Sequence, residues 1–184
     1  MEIPADLPGP LVPLAWILGR WGGTGMVEYP TIEQFRFEQE MSFGYVPGEA
    51  YLTYTSQAML LNEDDEVVGP LARETGYWRP VAEGAVEVML AHPTGIAELW
   101  VGEITGRRVE LRTEVVARTE TATPYTAAHR LYGVVDDGDL AYASDVAMYG
   151  HPLQSHSWAK LSRVGTQPPT ASATDGPAPS SALA

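Results

Sequence analysis

The stretch Arg108–Val116, which reads RVELRTEVV, carries apolar or β-branched side chains at every second position from Val109 to Val115. A period of two is typical of a β-strand with one buried face, because successive side chains point to opposite faces of a sheet. Similar alternation, rich in Val, Tyr, Thr and Phe, occurs in four further segments: Gln34–Phe43, Ala50–Leu61, Ala85–Leu90 and Leu140–Met148. The chain is therefore predicted to consist mainly of short strands.

The segments between these strands contain residues that favour tight turns: Val46–Glu49, Asn62–Asp65, Glu83–Gly84, Gly106–Arg107 and Asp136–Asp139. About ten strands at spacings of roughly 8–12 residues favour an antiparallel sheet, with a helical turn expected only around Tyr29–Gln34. Closure removes the two exposed edges of such a sheet, so the predicted fold class is all-β, an antiparallel up-and-down barrel of about ten strands with an internal cavity. The alternative is a two-layer sandwich with a solid core.

Length and composition restrict the domain organisation and the classes of function. The 184 residues suit one domain and include 24 acidic residues, 11 basic residues and no cysteine, with a formal charge of -13. We predict a flexible N-terminal arm over residues 1–10, a barrel over 11–164 and a disordered tail over 165–184, which is built from Pro, Ala, Ser, Thr and Gly. The acidic excess argues against nucleic acid as a partner, and the absence of a long apolar run argues against a membrane span. With no signal-peptide pattern at the start, we expect a cytoplasmic protein.

The sequence lacks the usual side-chain sets of a hydrolase. There is no HExxH, GxSxG or phosphate-binding loop, and no two of the four histidines have metal-ligand spacing on one face of a strand. The paired aspartates, Asp64/Asp65 and Asp136/Asp137, fall in predicted turns. Any chemistry therefore depends on a bound cofactor or ligand.

The segment from Gly19 to Gly25 has the pattern G-x-W-x-G-x-G, so that Gly19, Trp21, Gly23 and Gly25 share one face of a strand. Glycines weaken a strand, and they are tolerated where it bends sharply or where another group approaches its backbone. We interpret the motif as structural, with Trp21 closing one end of the barrel.

Together with its surroundings, this motif resembles the nitrobindin family. The resemblance covers nearly all of residues 11–164, in order, and depends on six further segments: Pro13–Leu18, Glu28–Ile32, Glu74–Pro80, Ala91–Ile96, Arg130–Tyr132 and Pro152–Leu161. It implies a ten-stranded barrel shaped like the fatty-acid-binding proteins and other calycins, with one haem b per subunit. It also implies that a largely ferric haem iron isomerises peroxynitrite to nitrate, so that the chain is an enzyme, and that it binds nitric oxide, with sensing or storage as a further role. A homodimer is left open.

The resemblance also implies the site residues. His156 matches the axial ligand of the haem iron and would be both the metal ligand and the catalytic residue, while Thr31 matches a threonine beside the haem. The sequence departs from the family at Ser157, where a bulky aliphatic residue is usual. The residues alone leave His156 open as an ordinary, partly buried histidine and Thr31 as a turn or helix-cap threonine. A porphyrin needs only one axial imidazole from the protein, so a lone histidine suffices.

Three other histidines are expected to have no part in the iron site. His92 is expected to be structural or to lie at a rim, and His129 and His151 are expected to face solvent. The alternative function is a non-enzymatic carrier of a fatty acid or other apolar ligand, which usually needs an internal arginine. Arg79 and Arg130 are the candidates, and both are expected to be exposed.

Overall fold

The structure is a computed structural model that describes residues 3–135 and 137–165. Ten strands follow one another along the chain: β1 Gly19–Tyr29, β2 Ile32–Tyr45, β3 Leu52–Leu61, β4 Val67–Pro80, β5 Ala85–His92, β6 Ile96–Thr105, β7 Arg108–Arg118, β8 Tyr125–Val134, β9 Leu140–Met148 and β10 Gln154–Arg163. Within the described ranges, two 3₁₀ helices, Gly9–Ile17 and Ala82–Gly84, complete the regular structure. In the described part of the chain no helix is long and apolar enough to cross a bilayer.

The ten strands form a closed antiparallel barrel in which each strand pairs with its neighbours in sequence. Pairing between β1 and β10 closes the sheet, so that Trp21 lies opposite Met41 of β2 on one side and Arg163 of β10 on the other. The predicted fold class is confirmed, and the two-layer sandwich is not the architecture.

The two ends of the barrel differ. The connections after β1, β3, β5, β7 and β9 surround one end, which we call the mouth. The 3₁₀ helix Gly9–Ile17 covers the opposite end, where the Trp21 indole N–H donates to the Ile17 carbonyl at 2.8 Å. The Arg163 guanidinium lies 4.1 Å from the centre of the Trp21 ring. Trp21 therefore closes this end, as the sequence predicts.

The N-terminal segment differs from the prediction. The helix begins at Gly9, Leu7 is buried, and the Tyr45 hydroxyl donates to Asp6 at 2.7 Å, so that residues before 11 contact the barrel. The expected helical turn at Tyr29–Gln34 is instead a two-residue turn between β1 and β2. Except for Gly165, the predicted tail lies outside the described residues.

Two glycines of the motif allow close contact between β1 and β10. A Cβ atom at Gly23 would lie 2.3 Å from the Lys160 carbonyl oxygen, and one at Gly25 would lie 2.4 Å from the Trp158 carbonyl oxygen. Backbone atoms cannot move aside as a flexible side chain can. The motif therefore has a structural role at the seam that closes the barrel.

Candidate haem site in the mouth of the barrel

The mouth opens into a cavity of about 500 Å³. The wall nearest the mouth is largely apolar, and its side chains come from four different strands: Val27, Phe35, Ile96, Val146 and Met148. Apolar walls with a few placed polar groups are typical of sites for small molecules and cofactors. The cavity is therefore suited to a flat, mainly apolar ligand that enters from the mouth.

His156 lies on a β-bulge in this wall. Ser155 pairs with Asp145 and Ser157 pairs with Ser144, so that β10 has one residue more than β9 between these pairs. As a result, the neighbouring residues His156 and Ser157 both line the cavity, which a regular strand would not allow. Bulges of this kind redirect side chains and are common beside active sites.

The His156 imidazole is in the form that can bind a metal. Burial lowers its pKa below the ordinary histidine value, and the positive charge of Arg130 lowers the pKa further, so the ring is unprotonated at neutral pH. Its ring packs edge-on against Tyr29, with centroids 5.8 Å apart. Among the described residues neither ring nitrogen has a hydrogen-bond partner, which leaves the imidazole free to coordinate.

Thr31 lies at the same end of the barrel, in the turn between β1 and β2. Its side chain is exposed, and the cavity wall is formed instead by the next residue, Ile32. Because Val27 of β1 pairs with Ser157 of β10, this turn and His156 are on adjacent strands at the mouth. The structure therefore brings Thr31 to the rim of the cavity, and its role beside a cofactor stays a prediction.

Midway along the strands, the cavity wall contains a buried ion pair. Arg130 of β8 donates from both terminal nitrogens to the Glu74 carboxylate of β4, at 2.9 and 3.0 Å, and the Tyr54 hydroxyl donates to the same carboxylate at 2.6 Å. Burial alone would raise the pKa of Glu74, but the Arg130 charge and hydrogen bonds outweigh it and hold the pKa below its ordinary value. Both side chains are charged at neutral pH.

A second carboxylate, Glu98, extends this network toward the mouth. The His92 ring bonds to Glu98 at 2.9 Å, the Trp100 indole donates to it at 3.1 Å, and the Tyr125 hydroxyl donates to its other oxygen. Burial alone would raise the pKa of Glu98, but the hydrogen bond from His92 and the charge of Arg130 lower it. His92 is thus a structural histidine near the rim, as expected.

The donor set of this network fits an ion-pair cluster better than a metal site. Ligand atoms of Glu74, His92 and Glu98 lie within 4.8 Å of one another. However, the Glu74 carboxylate already accepts hydrogen bonds from Arg130 and Tyr54, and the Glu98 carboxylate accepts them from Trp100 and Tyr125. The Arg130 guanidinium supplies the positive charge that a metal ion would otherwise provide.

Of the remaining predicted residues, His129, His151 and Arg79 do not line the cavity, whereas Arg130 does. His129 is partly exposed and bonds to Glu110 at 3.0 Å, and His151 is half-buried against Tyr29. The expectation that Arg130 is exposed is wrong, because its side chain is only 16% exposed, whereas Arg79 is 55% exposed.

The comparisons with known proteins agree with this geometry. The family model described as "THAP4-like, heme-binding beta-barrel domain" matches residues 10–163. The chain belongs to this family. A relative from Kineococcus radiotolerans, named "Ferric nitrobindin-like protein", is 47% identical over 89% of this chain and 98% of its own length. A relative from Nocardioides sp., named "Peroxynitrite isomerase", is 46% identical over 88% and 98%.

A solved structure supports the same assignment to the family. The crystal structure of Rv2717c from M. tuberculosis has a TM-score of 0.77 and 37% identity, and the match covers 87% of this chain and all of that one. The predicted resemblance to the nitrobindins and the predicted haem cofactor are confirmed at the level of the family.

The residues of the mouth fit a haem of this family. The wall offers one unprotonated imidazole, from His156, without a competing hydrogen bond, and apolar side chains surround it. One axial imidazole is what an iron porphyrin requires of the protein. His156 would hold the iron, while side chains such as Phe35 and Ile96 would contact the porphyrin.

Proposed function

We propose that the protein is a haem-dependent peroxynitrite isomerase, with His156 as the axial ligand of the iron. The observation that carries the proposal is the placement of His156, a free and unprotonated imidazole that the bulge of β10 turns into the mouth of the cavity. The name of the Nocardioides relative supports the activity. Two further relatives, from Frankia casuarinae and Parafrankia sp., have the same name.

The residues of the chain would bind and orient the cofactor. The bulge and the Tyr29 ring hold the imidazole in the wall, and burial keeps a proton off it at neutral pH. A ferric haem held by His156 would supply the Lewis acid that polarises peroxynitrite. An isomerisation needs no net proton transfer, so the proposed reaction does not require a general acid or base beside His156. Thr31, at the rim, would lie beside the cofactor.

The proposal includes three statements beyond the isomerase activity, on nitric oxide binding, cellular location and oligomeric state. The same haem would also bind nitric oxide, which would permit a sensing or storage role. Cytoplasmic location and a homodimer stay predictions from the sequence.

Replacement of the axial ligand tests the proposal. In H156A we expect the affinity for haem to fall by at least about a hundredfold, which corresponds to about 2.8 kcal/mol. Titration with haemin, followed by the Soret band, measures the affinity, and stopped-flow absorbance measures peroxynitrite decay and nitrate formation. In the same titration T31V should weaken binding less than H156A does.

His151 provides a matched control, because its ring packs against the same Tyr29 ring at 5.7 Å but does not line the cavity. H151A should therefore keep both haem affinity and peroxynitrite decay. Unchanged affinity and decay in H156A would remove this residue from the proposed role, and a wild-type protein that binds haem without accelerating decay would disprove the isomerase activity.

A further inference from the structure

The buried ion pair has the composition of a carboxylate-binding site. Two parallel N–H donors of Arg130 and the hydroxyl of Tyr54 converge on one carboxylate, and that carboxylate belongs to Glu74 of the chain itself. Bidentate contact with a guanidinium is among the strongest ways in which a protein binds a carboxylate. The Glu74 side chain is 11% exposed and lines the same cavity as the apolar mouth.

The surroundings of Arg130 hold the guanidinium in place. Its Cζ atom lies 4.9 Å from the centre of the Trp100 ring, and the Tyr132 hydroxyl accepts from the guanidinium at 3.4 Å. Because these contacts do not involve Glu74, the donors would remain fixed if the Glu74 carboxylate were absent. The site is therefore preorganised for a carboxylate group.

We propose that Glu74 occupies a carboxylate-binding site of the barrel and thereby determines which ligands enter. An aliphatic carboxylate with its chain in the apolar mouth would place its head group between Arg130 and Tyr54, where Glu74 already lies. Glu98 adds a second negative charge nearby, and the single guanidinium cannot balance a third carboxylate. The wild-type barrel therefore rejects fatty acids, while carboxylates that stay in water at the mouth meet no such barrier.

Removal of the Glu74 side chain should open this site to an external carboxylate. In E74A, we expect decanoate to bind at least about tenfold more tightly than to the wild type, because charge-assisted hydrogen bonds to Arg130 become available. Isothermal titration calorimetry on the full chain measures the affinity. Formate and acetate should also raise the melting temperature of E74A in a saturable way, and decanol, which has no carboxylate, should not reproduce the effect of decanoate.

Two controls separate this site from general effects of charge. The double variant E74A/R130M lacks the guanidinium, so it should lose the response to carboxylates. Glu110 is also paired with an arginine, Arg108, but on the exposed outer face, so E110A should show no response. If E74A folds only when acetate is present, that rescue supports the proposal.

Equal decanoate affinity in the wild type and E74A would overturn the proposal, as would rescue that persists in E74A/R130M. If E74A does not fold with or without carboxylate, the variant E74S, which also removes the carboxylate and vacates the site but keeps a small polar side chain, decides in the same titration. His156 is unchanged in all of these variants. Failure here is therefore distinguishable from failure of the haem site, which the Soret titration measures separately.

Discussion

At the scale of single residues, His156 makes the folded protein sensitive to pH. Burial and the Arg130 charge lower its pKa, so between that lowered value and about 6.5 the unfolded chain binds a proton that the folded chain does not. The contribution of His156 to stability is therefore complete above about pH 6.5 and is lost as the pH falls toward the lowered pKa. Cofactor-free wild type should lose more stability on acidification than H156Q does.

Urea unfolding at about pH 7.5 and about pH 5.5, on either side of the ordinary histidine value, measures this difference. H151Q serves as the comparison, because it removes the other histidine in contact with Tyr29 but leaves the cavity wall intact. The same loss of stability in wild type and H156Q would show that His156 has an ordinary pKa in the folded chain.

The sequence could predict His156 as a candidate but not the residues of the polar network. His156 could be identified as a candidate because the segment around it resembles a family motif, although the role of the residue stays a prediction. Glu74 and Arg130 had a usable signal, since each lies an even number of residues from a buried aromatic on its strand, Trp78 and Tyr132. Charge alone suggested an exposed arginine, because the sequence does not show that β4 and β8 face each other across a cavity.

At the scale of elements, β1 should tolerate no side chain at its contact with β10. In G25A the new Cβ would lie 2.4 Å from the Trp158 carbonyl oxygen and 2.7 Å from the Ala159 Cβ. We expect a loss of about 1–3 kcal/mol in the free energy of unfolding, since the backbone must shift to relieve the contact. Gly69 in β4 has nothing within 4 Å of its added Cβ, so G69A should cost about 0.5 kcal/mol or less. Equal losses in urea unfolding would contradict the role of the motif.

Alternation predicted the strands well, because half-buried strands impose it directly. Leu140–Met148 matches β9, and Arg108–Val116 lies within β7. The same alternation did not predict the β-bulges. In one of them, Trp100 of β6 pairs with Thr113 of β7, whereas its neighbour Leu99 pairs with Val115, so β7 has one residue more than β6 at this point. The extra residue turns the Val115 side chain outward, where it is exposed. A bulge depends on the pairing of two strands, and the pattern of one strand does not contain it.

At the scale of the whole molecule, closure of the barrel followed from the number of strands and the need to avoid free edges. The cavity also followed, since a ten-stranded barrel is wider than its inward side chains can fill. The apolar helix at Gly9–Ile17 was missed because its two prolines, Pro10 and Pro13, obscure a helical pattern. The apolar side chains of this helix are buried against the closed end of the barrel, and the sequence alone does not show that contact.

The net charge of the molecule should govern how fast its proposed substrate arrives. With a formal charge of -13, the protein repels the peroxynitrite anion, and salt screens that repulsion. Between about 10 mM and about 300 mM salt the Debye length falls from about 30 Å to below 10 Å, so the second-order rate of peroxynitrite decay on the haem-loaded protein should rise, by up to about tenfold. Nitric oxide is uncharged, so its association rate with the same preparation should stay constant across the series. A peroxynitrite rate that falls with salt would instead show that a local positive field dominates at the mouth.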